Sequence, residues 1–458
     1  DTIQQSTSAL IRVAPLLAPV MHPVHVKLHH WYVPHRLVWE DFEDFITGGP
    51  DGMDATDFPT ITFAGGVAAG SLGDYLGIPT GVSGIEVSAL PFRAYNLIWN
   101  EWYRDQDLQT EQPISLASGA DATTNTSLQN VAWEKDYFTS SRPWEQKGPS
   151  ITIPIGTTAP VVTTSDGVPT FQAVGEGAQT RALEFVNASQ TVRGSNNSTA
   201  TGNARWMETK LRADLSGASA VTVNILREAL ALQRFEEARA RFGSRYVEYL
   251  RYLGVRSADA RLQRSEYLGG GKQTIQFSEV LQTAEGDDPV GSLKGHGIGA
   301  MRSNRYRRFV EEHGYILTFL SVKPKTMYAQ GLARHWNRRV KEDFWQRELQ
   351  HIGQQEVLNK ELYAAHASPD ATFGFQDRYD EYRRTESSIA GEFRDTTLDY
   401  WHMARIFASS PALNADFVKA VPTERNFASP STDVLYIMAN HNMQARRLVA
   451  SSGTSHIF

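Results

Sequence analysis

The residues best able to do chemistry gather in a few short stretches. Five histidines lie near the start, His22, His25, His29, His30 and His35, and imidazole is the commonest side-chain ligand for a metal ion. Spacing argues against such a site. His25 and His29 share one face of an alternating segment, yet four strand residues at about 3.3 Å each put them roughly 13 Å apart. An ion held through bonds of about 2 Å cannot use both. The chain also contains no His-Glu-x-x-His pair. No metal is expected, and the histidines read as lining a partly exposed or interface face.

Gly269-Gly270-Gly271-Lys272-Gln273-Thr274 has the outline of a phosphate loop. That loop needs a further Gly ahead of four variable residues and a Ser or Thr directly after the Lys. Glu266 and Gln273 occupy those places, so the run reads as a flexible turn between two strands. Gly295-His296-Gly297-Ile298-Gly299 lacks the spacing of a dinucleotide site, and no Gly-x-Ser-x-Gly elbow occurs. Glu40, Asp41, Glu43 and Asp44 read as a solvated helix face. No catalytic constellation and no cofactor site emerge, and the chain is not expected to be an enzyme.

Two arginine-rich stretches are left. Arg302, Arg305, Arg307 and Arg308 interleave with Tyr306 and Phe309, and Arg334, Arg338, Arg339 and Lys341 surround Trp336. Guanidinium groups beside aromatic rings suit phosphate contact with base stacking in single-stranded nucleic acid. They suit equally well the bridging of carboxylates on a neighbouring subunit. Both readings stand at this level.

The elements that must position these groups follow from pattern. Ser6 to Val13 reads as a strand, and from His22 to Val33 alternation puts Val24, Val26 and Leu28 on one face and His25, Lys27 and His29 on the other. A short acidic helix spans about Trp39 to Ile46, stopped by Gly48-Gly49-Pro50. Another covers about Pro91 to Arg104, where Phe92, Tyr95, Trp99 and Trp102 make an aromatic stripe expected in the core. Thr222 to Phe242 and Arg245 to Leu253 read as helices closed by Gly243 and Gly254. Leu262 to Leu268, Gln273 to Leu281, Tyr315 to Val322 and Asp433 to Met438 have strand character, with Gly-rich or Asp-Pro turns between. Strands at both ends without βα alternation favour an antiparallel sandwich with enlarged loops over a doubly wound sheet.

Residues 157–204 are rich in Thr, Ser, Gly, Val and Ala, with an exposed loop tip at Gly194, Ser195, Asn196 and Asn197. The stretch reads as an insertion projecting from the scaffold, or alternatively as a linker between two domains. Residues 219–254 read as a helical insertion. The 458 residues carry a net charge of −6, which does not mark the whole chain as a polyanion binder. Cysteine is absent, removing disulfides and thiolate chemistry. No apolar run approaches the roughly 20 residues of a membrane span. The start shows no signal pattern and no initiator Met, as in a chain trimmed or numbered from an internal residue. The 10 Trp, 17 Tyr and 21 Phe suit large packed surfaces.

Longer motifs point to a family. They begin with Trp31-Tyr32-Val33-Pro34-His35-Arg36-Leu37-Val38-Trp39-Glu40, Asn96 through Asp105, Asp136-Tyr137-Phe138-Thr139-Ser140, and Pro143 through Gly148. Leu262 through Gly271, Tyr328-Ala329-Gln330-Gly331-Leu332, His351 through Glu361, Phe373-Gly374-Phe375-Gln376 and Leu398-Asp399-Tyr400-Trp401-His402 continue the series. These collinear blocks resemble the major capsid protein of the microviruses, closest to the gokushovirus branch. The resemblance implies a mainly β fold, an eight-stranded antiparallel jelly roll with large helical and loop insertions, as one capsid domain over residues 1–458. It implies self-assembly into a T=1 icosahedral shell around circular single-stranded DNA, in a virion assembled in the bacterial cytoplasm. By position, the 157–204 stretch corresponds to a threefold protrusion, which would meet a host surface receptor.

Implied partners are further copies of the chain, the DNA genome, a small basic DNA-binding protein, a scaffolding protein and a minor or pilot protein. Relatives carry residues before Asp1, and Arg446 through Phe458 match loosely. The competing readings are a receptor-binding or adhesin-like β-sandwich module of a small oligomer and a polysaccharide-cleaving β-sandwich.

Overall fold

The computed structural model describes residues 1–151, 214, 223–429 and 433–447. It also describes the strands Val161–Thr163, Thr170–Ala173, Arg181–Val186, Thr191–Gly194, Ala204–Trp206 and Leu211–Ala213. Two compact units divide the chain, one formed by Asp1–Lys147 with Glu237–Phe458 and one by Gly148–Glu236.

Among the described residues of the first unit, seven strands make the main antiparallel sheet: β1 (Thr2–Val13), β2 (Val24–Pro34), β3 (Glu266–Leu281), β4 (Leu293–Arg302), β5 (Tyr306–Phe309), β6 (Gly314–Pro324) and β7 (Leu435–Arg446). Their order is β5-β1-β4-β3-β2-β6, with β7 added on β1. The sheet folds over through β3. Its first part, Glu266 to Ile275, pairs with β2, and its last part, Gln276 to Leu281, pairs with β4. Alternation decides what goes inside. Ile11, Val13 and Ala9 of β1 meet Val24, Val26 and Leu28 of β2, Ile275 of β3 and Met301 of β4 in one buried cluster, so the two halves of the sheet pack face to face.

The glycine run Gly269–Gly271, expected as a turn, instead lies within the first half of β3, with a bulge between Tyr267 and Gly269. A Cβ on Gly270 would lie 2.2 Å from the Leu28 carbonyl oxygen, and one on Gly271 2.9 Å from that of Arg302. The glycines are there because backbones cross closely where the strand turns from one half of the sheet to the other. The second glycine pattern is likewise a strand. In β4 Gly295, Gly297 and Gly299 face inward, and a Cβ on Gly295 would meet the Ala18 carbonyl oxygen at 2.4 Å. The Asp288-Pro289 stretch does form the β3–β4 turn, with Ser292 N–H donating to the Pro289 carbonyl.

The other face of β2 is covered too. Trp31 and Val33 pack on Val38, Trp39 and helix α1 (Leu90–Ile98) through Leu90, Ala94 and Ile98. The aromatic stripe behaves as expected, since Phe92, Tyr95 and Trp99 are buried. A π-helical turn over Trp99–Tyr103 continues α1 and aims Tyr103 at β2, where its hydroxyl accepts from Trp31 Nε1 at 3.0 Å. Helix Phe42–Thr47 ends at Gly48 in the left-handed region (φ 84°). Helix α2 (Val223–Phe242) and helix α3 (Tyr246–Tyr252) follow the read boundaries, closed by Gly243 and Gly254 at positive φ. A further core joins Tyr137, Phe138, Tyr328, Val357, Leu362, Phe373 and Phe417.

In the second unit, Thr191–Gly194, Arg181–Val186, Thr170–Ala173 and Ala204–Trp206 form a four-stranded antiparallel sheet in that order, and Val161–Thr163 pairs with Leu211–Ala213.

Candidate nucleic-acid interface and assembly surfaces

The histidines are structural. His22 Nε2 donates to the Lys325 carbonyl oxygen at 2.7 Å, and His30 sits wholly buried between Thr318 Oγ1 (2.9 Å) and Ser303 Oγ (3.1 Å). His29 Nδ1 lies 2.8 Å from the Tyr103 hydroxyl. Burial lowers His22, His29, His30 and His35 each to about 4. This corrects the reading of a partly exposed or interface face for His22 and His30: neighbouring strands and loops close over both. Among the described residues, no three His, Asp or Glu side chains converge as metal ligands. Asp41 accepts from Ser118 Oγ at 2.6 Å, and Ser118 in turn accepts from Trp39 Nε1, so one carboxylate of the acidic helix holds a loop.

The first arginine cluster lies at the end of β4 and along β5. Strand register places Arg302 opposite Ser8 and Arg307 opposite Gln4, both on the outward face of β1. That face continues through Arg12 of β1, Lys294, His296 and Ile298 of β4, Gln276 and Ser278 of β3, and Tyr436, Met438, Asn440, Asn442, Gln444 and Arg446 of β7. No Asp or Glu occurs at any of these paired positions. Arg305 donates to Gln444 Oε1 at 3.1 Å. At the rim Lys294 meets Asp288 at 3.5 Å. Arg308 points the other way, to Glu266 at 3.1 Å. Arg12, Arg302, Arg307 and Arg446 have no carboxylate within ion-pair distance among the described residues. The result is a basic, amide-rich sheet face with Tyr436 and Phe309 exposed on it, on a chain that is acidic overall.

The second cluster is built differently. Arg334 donates to Glu361 Oε1 at 2.8 Å and lies 3.7 Å from Glu381. Arg338 meets Glu381 at 3.8 Å and stacks 4.5 Å over the Tyr382 ring. Arg339 donates to the carbonyls of Trp336 and Arg338, and Lys341 pairs loosely with Glu342. Burial pushes the Glu361 carboxyl up although Arg334 opposes this. For Arg334 and Arg338, the anionic partners expected on a neighbouring subunit or a nucleic acid include carboxylates of the same chain. Trp336, Phe344 and Trp345 beside them remain half exposed or more.

Of the loop tip, Gly194 closes strand Thr191–Gly194 opposite Leu183, and Ser195, Asn196 and Asn197 lie outside the described residues. Sequence reading missed Arg12, Lys294 and Arg446 as members of the basic face. The signal is present in β4, where Lys294, His296, Ile298, Ala300 and Arg302 alternate with inward Gly295, Gly297, Gly299 and Met301.

The family model described as capsid protein (F protein) matches residues 1–456. The chain belongs to that capsid family. It is a structural protein of the virion and not an enzyme. It is 39% identical over 456 residues to the capsid protein VP1 of Bdellovibrio phage phiMH2K, covering 94% of this chain and 85% of that protein. The VP1 capsid proteins of Chlamydia phage 1 (32% identical, 94% and 86% covered) and Spiroplasma virus 4 (34%, 92% and 82%) are similar in the same way. A capsid protein acts by association with further copies in a shell. The described residues contain no helix long and apolar enough to cross a membrane.

Proposed function

We propose that this capsid protein closes a T=1 icosahedral shell around circular single-stranded DNA and that its basic sheet face lies against the genome. The observation that carries the genome contact is the absence of carboxylates from the β1, β3, β4, β5 and β7 positions that surround Arg12, Arg302 and Arg307. Lone guanidinium groups neutralise phosphates, while Tyr436, Phe309 and the row of amides can stack on or hydrogen-bond bases without sequence preference. The second arginine cluster is the weaker candidate, since Arg334 and Arg338 already pair with Glu361 and Glu381 within the chain.

We read the folded-over antiparallel sheet, with seven strands among the described residues, as the sandwich of an eight-stranded viral jelly roll. The separate compaction of Gly148–Glu236 supports reading 157–204 as an inserted surface element, which forms the threefold protrusion and meets a host receptor. Residues 219–254 form the helical insertion. Rings at the symmetry axes join unlike patches of identical subunits, for which Trp336, Trp345 and the exposed apolar residues of α2 and α3 are the available contacts. A scaffolding protein, a small basic DNA-binding protein and a minor or pilot protein complete the assembly, in the host cytoplasm.

Negative-stain microscopy with sedimentation tests the shell. Uniform particles of megadalton mass are expected when scaffold and genome are supplied, and a chain that stays monomeric with them present overturns it. For the genome contact, replacing Arg12, Arg302 and Arg307 by Gln should reduce the salt dependence of oligodeoxythymidine binding. The slope of log affinity against log salt should fall by about 2, from about 0.7 per phosphate contact on a single strand. An unchanged slope would remove this face from the genome.

A further inference from the structure

The Gly269–Lys272 run is no phosphate loop, yet its lysine ends in a cluster short of negative charge. Lys272 of β3 stands directly opposite Lys27 of β2, and Lys323 of β6 stands directly opposite His25. Like charges at opposed positions of paired strands repel. Among the described residues one carboxylate serves them: Glu134 Oε1 is 2.7 Å from Lys27 Nζ and 3.9 Å from Lys272 Nζ. Lys323 Nζ donates to the Ala132 carbonyl at 2.7 Å. Burial, followed by the neighbouring Lys27 ammonium, lowers Lys323 to about 8 even with Glu134 nearby. His25 is also lowered, by burial and then by Lys272, and its Nδ1 lies 3.2 Å from Thr274 Oγ1. Among the described residues, three ammonium groups face one carboxylate, leaving an excess of two positive charges. The side chain of Lys272 is 50% exposed and that of Lys27 27%, so the cluster opens to solvent.

We propose that Lys27, Lys272 and Lys323, arranged around Glu134, bind a phosphate group. Ammonium groups are compact, rotatable donors that suit a tetrahedral oxyanion. A phosphate carrying about −1.5 to −2 near pH 7 matches the charge deficit, whereas a phosphodiester link brings a single charge. The group is therefore free phosphate or a terminal phosphate on a nucleic acid, and the site is independent of the shell reading.

The test titrates inorganic phosphate against chloride at fixed ionic strength into the full chain, read by calorimetry and by thermal unfolding. One saturable site is expected. Lys272→Gln should weaken it by about tenfold, the value of one charge-assisted hydrogen bond, and Lys27→Gln should act alike. Glu134→Gln should tighten it, a sign that loss of a merely structural residue would not give. Arg256→Gln, exposed elsewhere on the chain, should match the unaltered protein. A 5′-phosphorylated oligodeoxythymidine that competes where its unphosphorylated twin does not would identify the nucleic-acid source; equal weak competition by both identifies free phosphate. No saturable binding, or the same affinity in Lys272→Gln and Glu134→Gln, overturns the site. Sedimentation of the same samples separates this from assembly, because particles that form yet ignore phosphate reject the site alone.

Discussion

Arg93 is the most consequential single side chain of the scaffold. Wholly buried, it donates to Asp121 Oδ2 at 2.8 Å, to the Val38 carbonyl at 3.0 Å and to the Ala117 carbonyl at 2.8 Å, tying α1 to two loops. Burial alone would raise Asp121, but hydrogen bonds from Thr124, Arg93 and Thr123 hold it below the usual carboxylate range. Arg93→Met should cost about 3–5 kcal/mol by stranding a buried carboxylate, measured by urea unfolding. Arg93→Lys should restore only part, since one ammonium cannot reach three acceptors. The buried histidines set an acid limit. Each folded value near 4 lies below the ordinary 6.5. The stability they contribute is thus complete above pH 6.5 and is lost as pH falls toward 4. Calorimetric melting temperature should drop across that window, and less steeply in His30→Gln. None of this was legible from sequence. Alternation placed His25 and His29 on their face correctly, but burial of His30 depends on Ser303, just after β4, and Thr318 of β6, both far along the chain.

At the level of elements, strands with one clean apolar face were readable and strands made of glycine were not. β2 matches its alternation, and β6 shows strand character through apolar residues on both faces, whereas β4 hides its inward face behind Gly295, Gly297 and Gly299, leaving little apolar period to detect. β3 was split in two because glycine is the commonest turn signal, and nothing local distinguishes a turn from a close backbone crossing. Gly270→Ala should therefore prevent soluble folding, because its Cβ would press on the Leu28 carbonyl oxygen at 2.2 Å. Gly291→Ala, in the β3–β4 turn with open space around it, meets only its positive φ of 89°. It should cost about 1 kcal/mol; solubility and chemical unfolding of the two variants make the comparison. The basic face was half legible for the same reason. Arg302 and Arg307 stood out as a run, but Arg12 and Arg446 join them only through register.

For the molecule as a whole, the division at Gly148 and Glu236 makes a prediction that no single element does. Replacing residues 152–222 by a Gly/Ser linker should leave the first unit folded, seen as a preserved cooperative transition and near-ultraviolet circular dichroism. One further feature concerns the time before any shell exists. β7 is bonded along β1 on one side, and among the described residues nothing bonds its other edge. Both its faces are exposed, and from Leu435 to Ala445 it carries no Lys, Arg, Asp, Glu or Pro, the residues that ordinarily blunt an edge. A free subunit is therefore a monomer on a clock: closure onto its proper neighbours competes with open-ended stacking, whose rate climbs with concentration. Turbidity of isolated chain should grow faster than linearly with dose, and Asn440→Lys with Met438→Lys should slow it. Synthesis in the host then favours prompt engagement of each new copy over accumulation of a free pool.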